Sequence, residues 1–111
     1  SIPPNPNTAA SYATGKRCFE HFHALLGIQV FPSQDPEVLM KFYAYIFETR
    51  GNGRGPSSVT QGKHGARQAF LDARQRDLTL LPITDRAFKH AKGYAKEAKS
   101  PKLKLHAGSF N

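Results

Sequence analysis

Four lysines in the last third of the chain recur at the spacing of one helix face. They are Lys89, Lys92, Lys96 and Lys99. At about 100° per residue they cover roughly one quarter of a helix circumference. A line of ammonium groups can follow a phosphate backbone, although most lysines lie on solvated faces. The charge excess favours phosphate contact, because only Glu97 offsets these lysines and the positive charge continues into the tail.

A second basic group precedes these lysines on another predicted helix. Lys63, Arg67 and Arg74 share one face, and Gln68 lies further round. Arginine and glutamine read guanine and adenine edges in the major groove, which is wide enough for a helix. A polar outer face without a ligand explains the same residues equally well. Arg54 adds a cation in a glycine-rich loop, whose backbone can approach a phosphate closely.

The other reactive side chains do not form a recognisable catalytic or metal-binding set. His21 and His23 point about 200° apart on a helix, so they cannot share a metal ion there. Cys18, the single cysteine, is expected to be a small core residue. We therefore expect no metal, no cofactor and no catalysis. A histidine pair with a lysine is also an acid–base set, which leaves a small basic RNA hydrolase as an alternative.

The composition is that of one globular domain with an attraction for polyanions. The chain has 111 residues, a net charge of +8 and 39% hydrophobic residues. These values fit one folded core, and the positive field favours a nucleic acid or an acidic protein as partner. No apolar run approaches the ~20 residues that cross a bilayer, so no membrane association is expected. A single cysteine indicates a reducing, intracellular compartment, which would be the nucleus in a eukaryote.

The basic groups are carried by a predicted all-α bundle of four helices, or five. We expect an uncharged, proline-rich extended arm over residues 1–15, the helical domain over 16–104 and a basic C-terminal tail over 105–111. The first helix starts near Thr8, or several residues later because of Gly15, and stops at Gly27. Its apolar stripe consists of Phe19, Phe22, Leu25 and Leu26.

Capping residues locate the second and fourth helices. Asp35 as N-cap and Pro36 as first helical residue are a strong helix start. Thr84 or Asp85 is the expected cap of the fourth helix, which runs to about Lys99. The apolar arc of the second helix consists of Val38, Leu39, Phe42, Tyr43, Ile46 and Phe47.

The third helix is the one with the weakest local signal. Ser57 or Ser58 is its expected cap, and it extends to about Arg76. Gly62 and Gly65 lie inside it, and each costs up to about 1 kcal/mol relative to alanine.

The order of these features is that of a known family. It comprises Leu25-Leu26-Gly27-Ile28, Phe31-Pro32-Ser33, the helix from Asp35 to Phe47, Ser57-Ser58-Val59, Gly65-Ala66-Arg67 and Lys92-Gly93-Tyr94-Ala95-Lys96. This series resembles the N-terminal core-binding, SAM-like domain of tyrosine recombinases and phage-type integrases, nearest to divergent mobile-element versions. The resemblance covers about Cys18 to Lys104. The chain departs from the family at Gly62 and Lys63, where the family has large apolar residues.

The resemblance implies a fold and a partner. In that family the domain is a four- or five-helix bundle that forms half of a clamp around duplex DNA, while the nucleophilic tyrosine belongs to a separate C-terminal domain. It therefore implies DNA binding without strand cleavage by this chain, and it leaves assembly of several copies on DNA open. The contact residues that it implies are Lys63, His64, Arg67, Lys89, Lys92 and Lys96. A helical protein-interaction module, whose basic face meets an acidic partner, stays open as a further alternative.

Overall fold

The computed structural model describes the backbone of residues 6–50 and 56–99 and the side chains of residues 9–48 and 58–93. Within these ranges the chain forms four α-helices and no strand, which confirms the predicted all-α bundle. The helices are α1 (Pro6–Leu25), α2 (Pro36–Tyr45), α3 (Pro56–Asp72) and α4 (Pro82–Lys99). A π-helical turn, Ile46–Arg50, extends α2, and a 3₁₀ turn, Leu78–Leu80, precedes α4. None of the described helices is both long and apolar enough to cross a membrane.

Each of the four helices begins at a proline. Proline suits the first helical position because its φ is already helical and the N–H that it lacks has no partner there. Asp35 caps α2 as predicted, since its carboxylate accepts the N–H of Glu37 at 3.0 Å. The predicted caps of α3 and α4 are wrong, because Ser57, Ser58, Thr84 and Asp85 all lie inside these helices.

The first helix is longer than the sequence predicts. It begins at Pro6, so the extended arm expected over residues 1–15 is wrong from Pro6 onward, and residues 1–5 lie outside the described part of the chain. A proline in the first turn does not oppose a helix. Beyond that turn, α1 is held by packing along α3, and the buried Gly15 lies in this contact.

The α1–α3 contact brings two backbones together at Gly15 and Gly65. A methyl group on Gly65 would overlap the backbone of Gly15 and Lys16, and one on Gly15 would overlap the carbonyl of Gln61. Both glycines are buried. The sequence indicates a weakened helix at these positions, whereas the structure uses the missing side chains for close helix packing.

Two helices end in the same hydrogen-bonded motif, once with a glycine and once without. After α1, Gly27 has a φ of 73°, as the sequence predicts, and Ile28 N–H donates to the carbonyl of His23 at 3.0 Å. After α3, Arg74 has a φ of 57°, and Gln75 N–H donates to the carbonyl of Phe70 at 2.9 Å. This is the Schellman motif, whose left-handed residue is usually glycine. The prediction that α3 extends to Arg76 is therefore wrong, and Arg74 is not on its basic face.

The core is an aromatic cluster around Phe19. This ring is fully buried and contacts the rings of His23, Phe31, Phe42 and Phe70. The predicted apolar arc of α2 is confirmed from Val38 to Ile46, with Phe47 partly buried. The predicted stripe of α1 is correct only for Phe19 and Phe22, since Leu25 and Leu26 are 57% and 45% exposed.

The buried side chain that follows Phe22 is His23. Its Nδ1 lies 2.9 Å from the carbonyl of Phe19, and its Nε2 accepts the N–H of Ser33 at 3.0 Å. Both ring nitrogens are satisfied inside the protein, which assigns this histidine to the core. The apolar stripe of α1 therefore ends one turn earlier than the sequence indicates.

Gly65→Ala is expected to lower the free energy of unfolding by about 1–3 kcal/mol, because the added methyl group separates two backbones in contact. The matched control is Gly93→Ala in α4, where no described atom outside the local helix backbone lies within 4 Å of an added methyl group. There the helix propensity of alanine should raise stability by up to about 1 kcal/mol. Chemical denaturation followed by circular dichroism measures both, and equal effects would contradict the close contact.

Arg74→Gly is expected to raise the free energy of unfolding by about 1 kcal/mol, because glycine adopts a positive φ without strain. Arg76→Gly removes the same charge from a position whose φ is not positive. This control should leave stability unchanged or reduce it. A gain in both variants would indicate that lost charge repulsion, not relieved backbone strain, is responsible.

Candidate nucleic-acid interface

Lys63 of α3 and Lys92 of α4 both lie close to the ring of Phe88. The ammonium nitrogen of Lys63 lies 4.4 Å from the centroid of this ring, and that of Lys92 lies 5.6 Å from it. The ring itself belongs to the core and is 7% exposed. One lysine from each of the two predicted basic groups therefore lies at this ring. We call Lys63, His64, Arg67 and Lys92 the α3–α4 cluster.

Phe88 helps to hold two like charges together. Each ammonium group over an aromatic face gains about 0.5–1 kcal/mol at an exposed site, since the face of the ring is electronegative. Lys63 is partly buried and Lys92 is exposed, so the cluster opens to solvent on the α4 side. The Phe88 ring thus stabilises two ammonium groups that belong to different helices.

His64 lies at the edge of the cluster towards α1. Its ring is partly buried and stacks on Tyr12, with centroids 5.3 Å apart and planes tilted by 37°. Burial, followed by the charges of Lys63, Arg67 and Lys92, holds the pKa of His64 below its usual value. The imidazole is therefore neutral at neutral pH, although it lies among cations.

Carboxylates neutralise only part of the surrounding charge. Arg67 Nε lies 3.3 Å from Asp77 Oδ2, and Lys89 pairs with Asp85 at 3.0 Å, one turn away on α4. Among the described carboxylates, none forms an ion pair with Lys63 or Lys92. These two lysines carry the uncompensated charge of the α3–α4 cluster.

Gln68 does not join the cluster. Its side-chain amide donates to Asp72 at 2.8 Å, and Asp72 also accepts from Lys16 of α1 at 2.9 Å. These two hydrogen bonds, that from Lys16 first, hold the pKa of Asp72 below its usual value. The base-reading position predicted for Gln68 is thus occupied by a contact between α1 and α3.

The remaining predicted DNA contacts are not members of the α3–α4 cluster. Arg74 lies in the turn after α3 and is exposed. The α4 backbone is helical through Lys96 and Lys99, but their side chains lie outside the described residues, as does all of Arg54. Lys89 lies one turn before the cluster on α4, where Asp85 engages it.

Sequence reasoning missed two residues of this site. Phe88 precedes Lys92 by four residues, and this i,i+4 spacing is the signal that could have indicated a contact between the ring and the lysine. Tyr12 is distant from His64 in the chain, and nothing in the local sequence points to their contact.

A second surface lies between α2 and α4. It is a groove of about 590 Å³ with Arg86, His90 and Glu48 among its lining residues. Ile83 and Lys92 differ by about 180° around α4, so the groove and the lysines lie on opposite sides of that helix. The apolar side chains in its walls are Met40, Ala44, Phe47, Ile83, Ala87 and Ala91.

No three histidine, cysteine, aspartate or glutamate side chains of the described residues are grouped so that they could hold a metal ion. Cys18 is buried, as predicted. Comparisons of the chain with protein-family models, curated proteins and solved structures find no match. The resemblance to recombinase core-binding domains therefore stays a prediction, and the geometry of the α3–α4 cluster carries the functional argument.

Proposed function

We propose that this chain is a DNA-binding domain whose α3–α4 cluster contacts the phosphate backbone of duplex DNA. The observation that carries the proposal is the placement of Lys63 and Lys92 over one Phe88 ring. Neither lysine pairs with a described carboxylate. Like charges held close to one ring repel each other, and an anion bound beside them offsets this repulsion. A phosphate group supplies that anion, and binding also releases counterions from the DNA.

Further lysines along α4 extend the proposed DNA contact beyond the α3–α4 cluster. Lys96 and Lys99 follow Lys92 on the same side of the helix, over about 10 Å of helix axis. Duplex DNA carries one negative charge per about 1.7 Å of its axis, so this length faces several phosphates. The net charge of +8 adds a long-range attraction for the same partner.

The family resemblance supports a more specific form of the proposal. A core-binding domain of a tyrosine recombinase, or of a protein descended from one, would hold duplex DNA without cutting it. Such a role places the chain inside the cell, in the nucleus of a eukaryote, and allows several copies to assemble on one DNA. Arg67 is the candidate base-reading residue, because its side chain is 54% exposed even though Asp77 engages it.

The double variant Lys63→Ala/Lys92→Ala is expected to weaken binding to any duplex sequence by about tenfold or more at low salt. It should also reduce the slope of log K against log salt by about two, because two phosphate contacts are lost. Fluorescence anisotropy with a labelled duplex, repeated at several salt concentrations, measures both quantities.

The control is Lys41→Ala/Arg86→Ala, which removes two positive charges from residues outside the cluster. It lowers the net charge equally and should change the salt slope much less. Equal losses in the two double variants would show that net charge alone attracts DNA. Wild-type binding that does not weaken as salt rises would exclude a phosphate contact.

The groove between α2 and α4 favours a second candidate function, which is protein binding. Its apolar walls fit the apolar stripe of an amphipathic helix. A second copy of this chain is a poor occupant, because each copy carries a charge of +8. An acidic amphipathic helix complements that charge and Arg86 beside the groove.

Met40 is the single methionine of the chain and lies in the groove wall, so its methyl group is a specific NMR probe. A synthetic helical peptide with a leucine stripe flanked by glutamates is expected to shift this signal saturably. Ala44→Glu should abolish the shift, whereas Ala24→Glu, on the exposed face of α1, should not. No shift in the wild-type protein would remove this candidate.

A further inference from the structure

His64 adds to the proposed DNA contact a side chain that changes its charge near physiological pH, which lysine and arginine do not. Its imidazole is held against Tyr12 at one edge of the α3–α4 cluster and stays partly accessible. Lysine and arginine keep their charge throughout the physiological pH range, whereas histidine changes its charge within that range. The protonation of this ring is therefore sensitive to a negative charge placed beside it.

We propose that His64 is a proton-linked phosphate ligand, which takes up a proton when a DNA phosphate binds at the α3–α4 cluster, so that acidification strengthens DNA binding. The inference rests on the proposed function, because it names a ligand residue and a control mechanism of the same site. The ligand is a phosphodiester, which has no titration of its own between pH 5 and pH 8.

Among the described residues, the groups that face His64 are cationic or neutral. From α3 they are Lys63 and Arg67, from α4 Lys92, and from α1 the ring of Tyr12. Lys16, one turn further along α1, is paired with Asp72. The carboxylate of Asp77 lies against the Arg67 guanidinium. Among the described residues, the charges that act on His64 are thus all positive, and they disfavour an imidazolium.

A bound phosphate favours the protonated form of His64. Its negative charge offsets the neighbouring cations, and it accepts a hydrogen bond from a protonated imidazole. Both effects raise the pKa of His64 in the complex above the lowered pKa of the unbound protein. Between these two pKa values, binding takes up a proton and affinity rises as pH falls. Above both values the imidazole is neutral in either state, and affinity does not depend on this group.

The test measures binding of the complete chain to a labelled duplex at fixed salt, from about pH 5.5 to pH 8. The wild-type protein is expected to bind about three- to tenfold more tightly at the acidic end, because the affinity ratio rises by a factor of about ten for each unit of difference between the two pKa values. His64→Gln keeps a polar side chain without a titration and should bind with nearly the same affinity at pH 5.5 and pH 8. Calorimetry in buffers of different ionisation enthalpy should detect proton uptake by the wild-type protein only.

His21→Gln is the matched control, because His21 is exposed on α1 and takes no part in the cluster. It should keep the full pH dependence. Wild-type behaviour in His64→Gln, or binding without proton uptake, would overturn the inference while leaving the DNA-binding proposal intact.

A second measurement separates failure of the inference from failure of the proposed function. If no duplex binds at any pH, the imidazole signals are titrated by NMR with and without sulfate, an anion that does not titrate in this range. An upward shift of the pKa of His64 in sulfate, with His21 unaffected, would support the proton-linked anion site and reject only the DNA partner. No shift would reject both.

Discussion

The contact between Gly15 and Gly65 fixes how α1 lies along α3, and much of the surface follows from that register. One turn before Gly15, Ser11 accepts a hydrogen bond from Gln61 at 3.2 Å, and Tyr12 stacks on His64. One residue after Gly15, Lys16 reaches Asp72 at 2.9 Å. A side chain at either glycine would separate the backbones and disturb all three contacts, since each joins the same two helices.

Packing of the inner face stabilises α3, whereas the positive charge of its outer face opposes folding. Its inner face is well packed, with Val59, Ala66 and Phe70 fully buried. On its outer face, Lys63 and Arg67 raise the electrostatic free energy of the folded state, because folding holds like charges close together. Phe88 and Asp77 offset part of this cost through the ring contact and the ion pair at 3.3 Å. The remaining repulsion is the part that an anionic partner can relieve.

Local sequence signals predicted the elements well where the structural cause is itself local. Asp35 followed by Pro36 predicted the start of α2, Gly27 predicted the end of α1, and the helical spacing of the lysines predicted the helix α4. The same reasoning overlooked the prolines that begin α1, α3 and α4, because serine and threonine offered competing caps nearby. The convergence of Lys63 and Lys92 could not be predicted, since it depends on how two helices cross.

Three sides of α4 have different surroundings, and this arrangement determines whether DNA binding and protein binding compete. Thr84 and Phe88 face the core, Lys92 lies beside them on the α3 side, and Ile83 and Ala87 line the groove on the α2 side. Because about 180° separates Lys92 from Ile83, a DNA backbone on one side does not obstruct a protein helix on the other. An acidic helix in the groove would still lower the local positive potential. It would therefore weaken DNA binding through charge rather than through overlap, and added salt would reduce that coupling.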